Sequence, residues 1–338
     1  MNRKYFILLM VVILTVAVTS AIAAPKWSPT RPINLVIQYA AGGGTDLTCR
    51  MLAAEMESSI GQTIAAVNMP GASGAVAADY VWNSRRDGYT WLGSATNDVM
   101  HYPVMGFHPK TYKDWSFYIA TLSTTIVTVS AQSKYKTMDD LIADFKARPG
   151  QVRIATAGVG ASAHVAAEIL RLGAGVQYKH VPYQGGYPAI VATIGMETEV
   201  VLQHAIEVSD MLRAGKLRAL AAYDTKPLNM PGYGEVPPIT KWLPKLKKYL
   251  PHGAHFGIVL PKDMPKEIKD KVDVAFKKAV ASPKMKEFCD SRGVDLIGLS
   301  GSKAEKWIGE QAPVVTWILY EGGLAKNSPE NFGFKKPW

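Results

Sequence analysis

The chain has 338 residues, 48% of them apolar and 20% charged, enough for one large or two medium domains with a buried core. That balance excludes a disordered or coiled-coil protein. The formal net charge of +10 helps to attract anions. The basic residues are scattered, apart from a solvated cluster at 241–248, and do not interleave with stacking aromatics, so no nucleic acid is expected as a partner.

Read in chain order, Arg3 and Lys4 precede an apolar run at 6–18, and Ala21-Ile22-Ala23 fits an A-x-A cleavage site. This three-part layout predicts a cleaved signal peptide over 1–23 and an exported, periplasmic protein. An uncleaved anchor fits less well, because the apolar run is short and ends in small residues. Losing Arg3 and Lys4 lowers the charge from +10 to +8. Cys49 and Cys289 can pair in an oxidising compartment, or Cys49 can be a buried free thiol within a helix.

INLVIQY (33–39) reads as a buried strand, followed by a helix over about 46–60, a strand at 63–68, a helix over 75–82 and a strand at 89–94. This βαβαβ order predicts a parallel sheet with right-handed crossovers. A second run of the same kind starts after Thr125. Thr137 and Asp140 form a capping box before DDLIADFKA; then come VRIAT (152–156), a helix from Ser162 to about Leu172, and strands at 176–181, 199–203 and 217–223. Six prolines between 224 and 254 predict a long irregular loop. HFGIVL is strand-like, Pro265 opens a helix with one apolar face, and Ser302 with Glu305 caps a last helix that Pro313 should kink or interrupt. Two α/β units in one chain predict two lobes and a cleft between them: 24–124 plus 261–338, and 125–260, with crossing strands near 115–130 and 255–261.

Three glycine-rich strand ends carry the candidate chemistry. AAGGGTD (40–46) and TAGVGASAH (156–164) each end a strand and open a helix, and VPYQGGYPA (181–189) ends a third strand. Helix starts offer unpaired N–H groups and partial positive charge, and glycines let a carboxylate or phosphate come close. Thr45 or Asp46 is placed to cap the first helix. Any one loop alone is as well explained by a tight turn; three facing one cleft point to a ligand. None is a dinucleotide fingerprint or a P-loop. GASAH matches a nucleophile elbow only in part, and Ser162 and His164, two apart at a helix start, point in different directions. His252 and His255 lack acidic or cysteine companions, so no metal is expected, and no cofactor.

INLVIQYAAGGGTD, NMPGASG, DGYTWLGSATN, GVGASAH, VPYQGGYPA and AGKLRALA stand in the order expected of one family. The chain resembles the substrate receptors of the tripartite tricarboxylate transporters, the Bug (TctC-type) periplasmic binding proteins, over essentially its whole mature length. The resemblance implies an α/β, two-lobed Venus-flytrap fold of the type II class, each lobe a mostly parallel sheet flanked by helices. It implies no catalysis, a small organic carboxylate as ligand, and integral-membrane transporter subunits as partners. Carried over by position, it implies that Gly43, Gly44, Thr45 and Asp46, with Gly160, Ala161 and Ser162, clasp the ligand. Tyr39, Thr96, Tyr183 and Gly185 are implied to line the cleft. The stretch departs from the family in YAAGGG, where a proline commonly precedes the glycines, in Ala161 for a common serine, and in EVVLQHAIE, which places Gln203 and His204 near the cleft.

Tyr39 and Tyr183, if inward-facing, suit an aromatic carboxylate as well as a di- or tricarboxylate. His204 would make affinity pH-dependent if it touched the ligand, but a satisfied core histidine explains it slightly better. Two rivals remain: a receptor that presents its ligand to a membrane sensor, and a secreted hydrolase using Ser162 and His164.

Overall fold

Five apolar-rich residues with almost no exposed face, Ile33–Ile37, make β1, as a strand covered on both sides requires. The computed structural model describes residues 27–338; the predicted signal peptide, 1–23, lies outside the described residues. After β1 come α1 (Gly44–Ile60), β2 (Ile64–Asn68), α2 (Ala75–Asn83) and β3 (Thr90–Ala95), and the strands lie parallel in the order β2-β1-β3. A one-turn helix, α3 (Tyr102–Met105), leads to β4 (Trp115–Ser130), whose 16 residues contain no glycine or proline and are rich in β-branched and aromatic side chains.

The second run builds the same pattern: α4 (Met138–Ala147), β5 (Arg153–Thr156), α5 (Ser162–Ala174), β6 (Lys179–Pro182), α6 (Gly186–Ile194), β7 (Val200–His204), α7 (Ala205–Arg213) and β8 (Leu217–Ala222). Here β6, β5 and β7 are parallel. The proline-rich region is less irregular than expected, since β9 (Leu228–Met230) and β10 (Gly234–Val236) pair as an antiparallel hairpin. Then follow β11 (Gly253–Pro261), α8 (Lys266–Val280), α9 (Pro283–Asp290), β12 (Asp295–Ser300) and α10 (Gly301–Glu321).

Two lobes follow from how β4 is shared. Its first part pairs with β11 and β12, and its last residues pair with β7 and β8. The chain crosses back beside it: Thr125 N–H donates to His252 O at 3.0 Å, His252 N–H to Tyr223 O at 2.9 Å, and Tyr223 N–H to Thr125 O at 2.8 Å. Where β11 shifts register, between Phe256 and Gly257, a Cβ on Gly257 would stand 2.0 Å from the Tyr118 carbonyl oxygen. Gly257→Ala is therefore expected to cost about 3 kcal/mol, as overpacking against backbone does. Urea unfolding checks this, and a loss of less than about 1 kcal/mol would mean that the bulge relaxes freely.

Local signals mostly match. The Thr137–Asp140 capping box forms, with Asp140 N–H on Thr137 Oγ1 at 3.2 Å and Thr137 N–H on Asp140 Oδ2 at 2.9 Å. Three expectations change. The last helix starts at Gly301 with Ser300 as its N-cap, and Glu305 pairs with Lys262 rather than closing a box. Pro265 stands one place earlier than expected, as N-cap of α8. Pro313 lies inside α10 without ending it, because packing holds both sides: Ala304, Ile308 and Ala312 join the first lobe's core, while Val315, Ile318 and Leu319 join the second's. Cys49 and Cys289 are both free and buried, and burial pushes each thiol up to about 12. Among the described residues no helix is long and apolar enough to cross a membrane.

Candidate functional site

At the end of β1 the backbone turns through Gly42, at φ +83°, so that Gly43 becomes the N-cap of α1. Neither Thr45 nor Asp46 caps the helix from in front, as expected from the sequence. Instead Asp46 reaches back, its Oδ2 accepting Gly42 N–H at 3.0 Å and its Oδ1 accepting from Arg50 Nε at 2.8 Å and Asn68 Nδ2 at 2.9 Å. Asp46 thus stiffens the glycine loop from behind and leaves the helix's first N–H groups facing the second lobe.

The group met there is a carboxylate of the protein itself. Glu207, third residue of α7, accepts Gly44 N–H on Oε1 at 2.8 Å across the cleft. Its Oε2 accepts His204 N–H at 3.3 Å. With the Gln203 amide oriented to satisfy both its ends, Oε2 also accepts from it at 2.6 Å, while the Gln203 oxygen accepts Ala157 N–H at 3.0 Å. Gly186, first residue of α6, is bare for the same reason: a Cβ there would stand 2.2 Å from Glu207 Oε1. Burial pushes the Glu207 carboxyl up to about 7, against the pull of the Gly44 and His204 N–H groups.

A second buried acid comes from the other lobe. Asp98 follows β3, and its Oδ2 accepts Tyr39 O–H at 2.6 Å and Gln38 Nε2 at 3.2 Å. Its Oδ1 has no hydrogen-bond partner, although the residue is fully buried. Burial pushes this carboxyl up to about 7 as well, opposed by the Tyr39 hydroxyl and by the Ser162 backbone N–H at the start of α5. Each lobe therefore holds a carboxyl toward a helix start of the other lobe.

Ser162 does not work with His164. Its Oγ lies 2.8 Å from His204 Nε2, and His204 Nδ1 lies 3.1 Å from Thr125 Oγ1. His164 turns the other way, accepting Gly160 N–H on Nδ1 at 2.9 Å and stacking on His180 with ring centroids 3.7 Å apart. The helix geometry anticipated from the two-residue spacing is what separates them. Burial lowers His204 to about 3, and a hydroxyl rather than a carboxylate stands behind it, so it is a neutral hydrogen-bonding group and a poor general base.

Tyr39, Gly43, Gly44, Thr45, Ala161, Ser162 and His204 line one narrow inner pocket with room for about one water-sized group, together with Asp98, Gln203, Glu207 and Phe256. Tyr183 lies outside it, on an adjoining chamber that shares Tyr39 and Ala157; its hydroxyl is taken by Glu197 at 2.7 Å. Four expected residues line neither space. Asp46 braces the loop; Thr96 N–H donates to His255 O at 2.6 Å. Gly160 and Gly185 hold positive φ, +80° and +147°, where a Cβ would press on Met105 and on the Ala40 backbone respectively. Asp98 and Glu207 went unselected by sequence reasoning. Each reads locally as an ordinary turn or helix-start acid, and the only available signal was the Glu three places after His204.

Further contacts bridge the lobes beside the pocket. Ala40 N–H donates to Gln184 O at 3.2 Å and Ser73 Oγ to Val159 O at 2.6 Å. Ala72 and Ser73 adopt φ of +45° and +50°, a strained arrangement for side-chain-bearing residues, which aims the Ser73 hydroxyl across the cleft. Among the described residues no cluster of His, Cys, Asp or Glu is placed to hold a metal ion.

The sequence model described as "Tripartite tricarboxylate transporter family receptor" matches residues 48–324. A protein described as "UPF0065 protein in gbd 5'region", from Cupriavidus necator, is 29% identical over 340 residues, covering 96% of this chain and 99% of its own. Among solved structures, Rpa4515 of R. palustris with adipate superposes with a TM-score of 0.79 at 23% identity, covering 88% of this chain and 98 to 99% of such neighbours' chains. MatC from Rhodopseudomonas palustris with bound malate gives 0.74 at 21% identity over 87% of this chain. At those identities the likeness speaks for the two-lobed binding-protein fold alone.

Proposed function

Because the chain belongs to the tripartite tricarboxylate transporter receptor family, we propose that it captures a small organic carboxylate between its lobes and delivers it to a membrane transporter of that type. The receptor acts in the periplasm, reached through a cleaved leader over 1–23. It closes by a hinge motion about the Thr125 and His252 crossings and performs no chemistry on its solute.

The observation that carries this reading is convergence. Residues at or beside the starts of α1, α5, α6 and α7, namely Gly44, Ser162, Gly186 and His204, line one inner pocket. Helix starts direct unpaired N–H groups and partial positive charge at whatever lies between them. The pocket also offers the Thr45 and Ser162 hydroxyls to a polar solute. The adipate and malate held by the two solved neighbours support a small acid as the solute class.

A thermal-shift screen against aliphatic di- and tricarboxylates, aromatic carboxylates and acidic amino acids tests the reading. A solute at about a hundred times its dissociation constant should add about 2.7 kcal/mol of stability. No shift with any carboxylate, beside a clear shift with an uncharged solute that has no acid group, would remove the carboxylate assignment. Ser162→Ala separates receptor from hydrolase. The expected result is an affinity loss of about fivefold, the worth of one neutral hydrogen bond, and no ester turnover in either protein. Wild-type turnover abolished by the substitution would establish an enzyme instead.

A further inference from the structure

The inner pocket is acidic where a receptor for dicarboxylates needs to be basic. Its charged side chains are Asp98 and Glu207, and no lysine or arginine lines it. Four helix starts of about half a positive charge each are thus faced by two carboxyls belonging to the protein. The N–H of Gly44, which the glycine loop lays open, is already taken by Glu207. Asp98 lines the pocket, and its buried Oδ1 has no hydrogen-bond partner at full strength, with only the Ser162 N–H nearby; an acceptor so poorly satisfied gains from a further donor.

We propose that the solute presents to this inner pocket an N–H-donating head group, a protonated amine or a primary carboxamide, bound between the carboxyls of Asp98 and Glu207. This rests on the receptor reading above and specifies which end of the solute goes inward. Asp98 Oδ1 accepts one N–H. Glu207, held from behind by the His204 and Gln203 nitrogens, accepts another. The remainder of the solute extends toward the adjoining chamber, which shares the Tyr39 and Ala157 walls with the pocket. A second carboxylate entering instead would lie beside two acids with no cation among the lining side chains, an arrangement disfavoured by both repulsion and desolvation. Asp98 and Glu207 are in this sense specificity-determining residues. They select against the di-acid as much as for the donor.

Matched solutes test this by calorimetry on the purified protein at about pH 8.5, where both carboxyls are ionised: glutarate, its mono-amide glutaramate, and 4-aminobutanoate, with the aromatic series terephthalate, 4-carbamoylbenzoate and 4-(aminomethyl)benzoate, and butyramide and butylamine as acid-free arms. In the better-binding series the amide or amine is expected to bind about tenfold or more tightly than the di-acid, the worth of one hydrogen bond to a charged group. Glu207→Gln and Asp98→Asn should each reduce that ratio to about threefold or less. A di-acid that binds as tightly as its amide and amine partners overturns the proposal and leaves the receptor reading standing. A ratio unchanged in both variants also overturns it. Binding of the acid-free arms alone keeps the proposal and removes the carboxylate assignment, and binding of no solute removes both. The wild-type ratio stands by itself if a variant does not fold.

Discussion

Acidification from about pH 6.5 to about pH 4.5 is expected to remove most of the protein's folding stability. The cause is a set of histidines folded in their neutral form. Burial lowers His101, His204 and His255 to about 3 and His180 and His252 to about 4, and it holds His164 well below the usual imidazole value. An unfolded histidine takes up a proton below about pH 6.5. Over that interval the unfolded chain therefore binds more protons than the native one, and falling pH favours unfolding. Asp98 and Glu207 act in the opposite direction. Their native values of about 7 lie above the unfolded ones of about 4, so the native state gains stability as pH falls from above 7 to about 4. Six histidines against two carboxyls leave roughly four protons, on the order of 5 kcal/mol per pH unit at full titration. A domain's whole stability is about 5 to 15 kcal/mol, so the histidines win. Urea unfolding across this pH range, with proton uptake measured calorimetrically in buffers of different ionisation enthalpy, reads the effect directly. Unchanged stability between about pH 7 and pH 5 would mean that these rings charge without unfolding the protein.

Gly44→Ala is expected to weaken solute binding by about a hundredfold while leaving the protein folded. Gly44 carries no positive φ, so alanine is acceptable to the backbone. The obstacle is space between the lobes. A Cβ there would stand 2.8 Å from Ile206 Cγ2, on the far lobe, and 2.7 Å from Phe256 Cζ. Phe256 is buried against His204, and Ile206 is fixed in α7, whose next residue is the Glu207 that holds Gly44 N–H. Relieving the contact means parting the lobes. Overpacking costs about 1 to 3 kcal/mol, and the Gly44–Glu207 bond to a charged acceptor is worth about 1.5 to 3 kcal/mol more. Together these disfavour the closed form by about a factor of a hundred or more, and apparent affinity falls with the population of the competent form. Calorimetry with the best solute from the screen gives the affinity, and small-angle scattering shows the ligand-free variant more extended than the parent. Binding within about threefold of the parent would mean that closure does not bring Gly44 against α7.

The sequence carried the elements well, because each rests on a local cause. Ile33–Ile37 is apolar at four of its five positions, Thr137 and Asp140 satisfy each other's N–H groups, and glycines mark the strand-to-helix turns. It failed where local and tertiary forces disagree. Pro313 should break a helix by its missing N–H, yet the cores of both lobes grip α10 on either side of it. Seven of the twelve expected site residues share one pocket, and these come mainly from the glycine loops, whose chemistry is a backbone property. Thr96, Gly160 and Gly185 were implied by the family resemblance, and in the fold they stand outside that pocket, the Thr96 N–H on His255 O and both glycines against close neighbours.

By itself the amino-acid order determined two α/β runs, their glycine-rich strand ends and the family to which the chain belongs, since hydrophobic period, turn residues and motif order are all properties of neighbours in sequence. The tertiary structure alone decided what faces those strand ends. Gly44 meets Glu207 163 positions later, Ser162 meets His204 rather than His164, and Asp98 is left with an unused acceptor beside them. Whether a carboxyl is an ordinary helix-start acid or a buried group at about pH 7 depends on the desolvation imposed by the opposite lobe. That burial exists only when two distant parts of the chain close on each other.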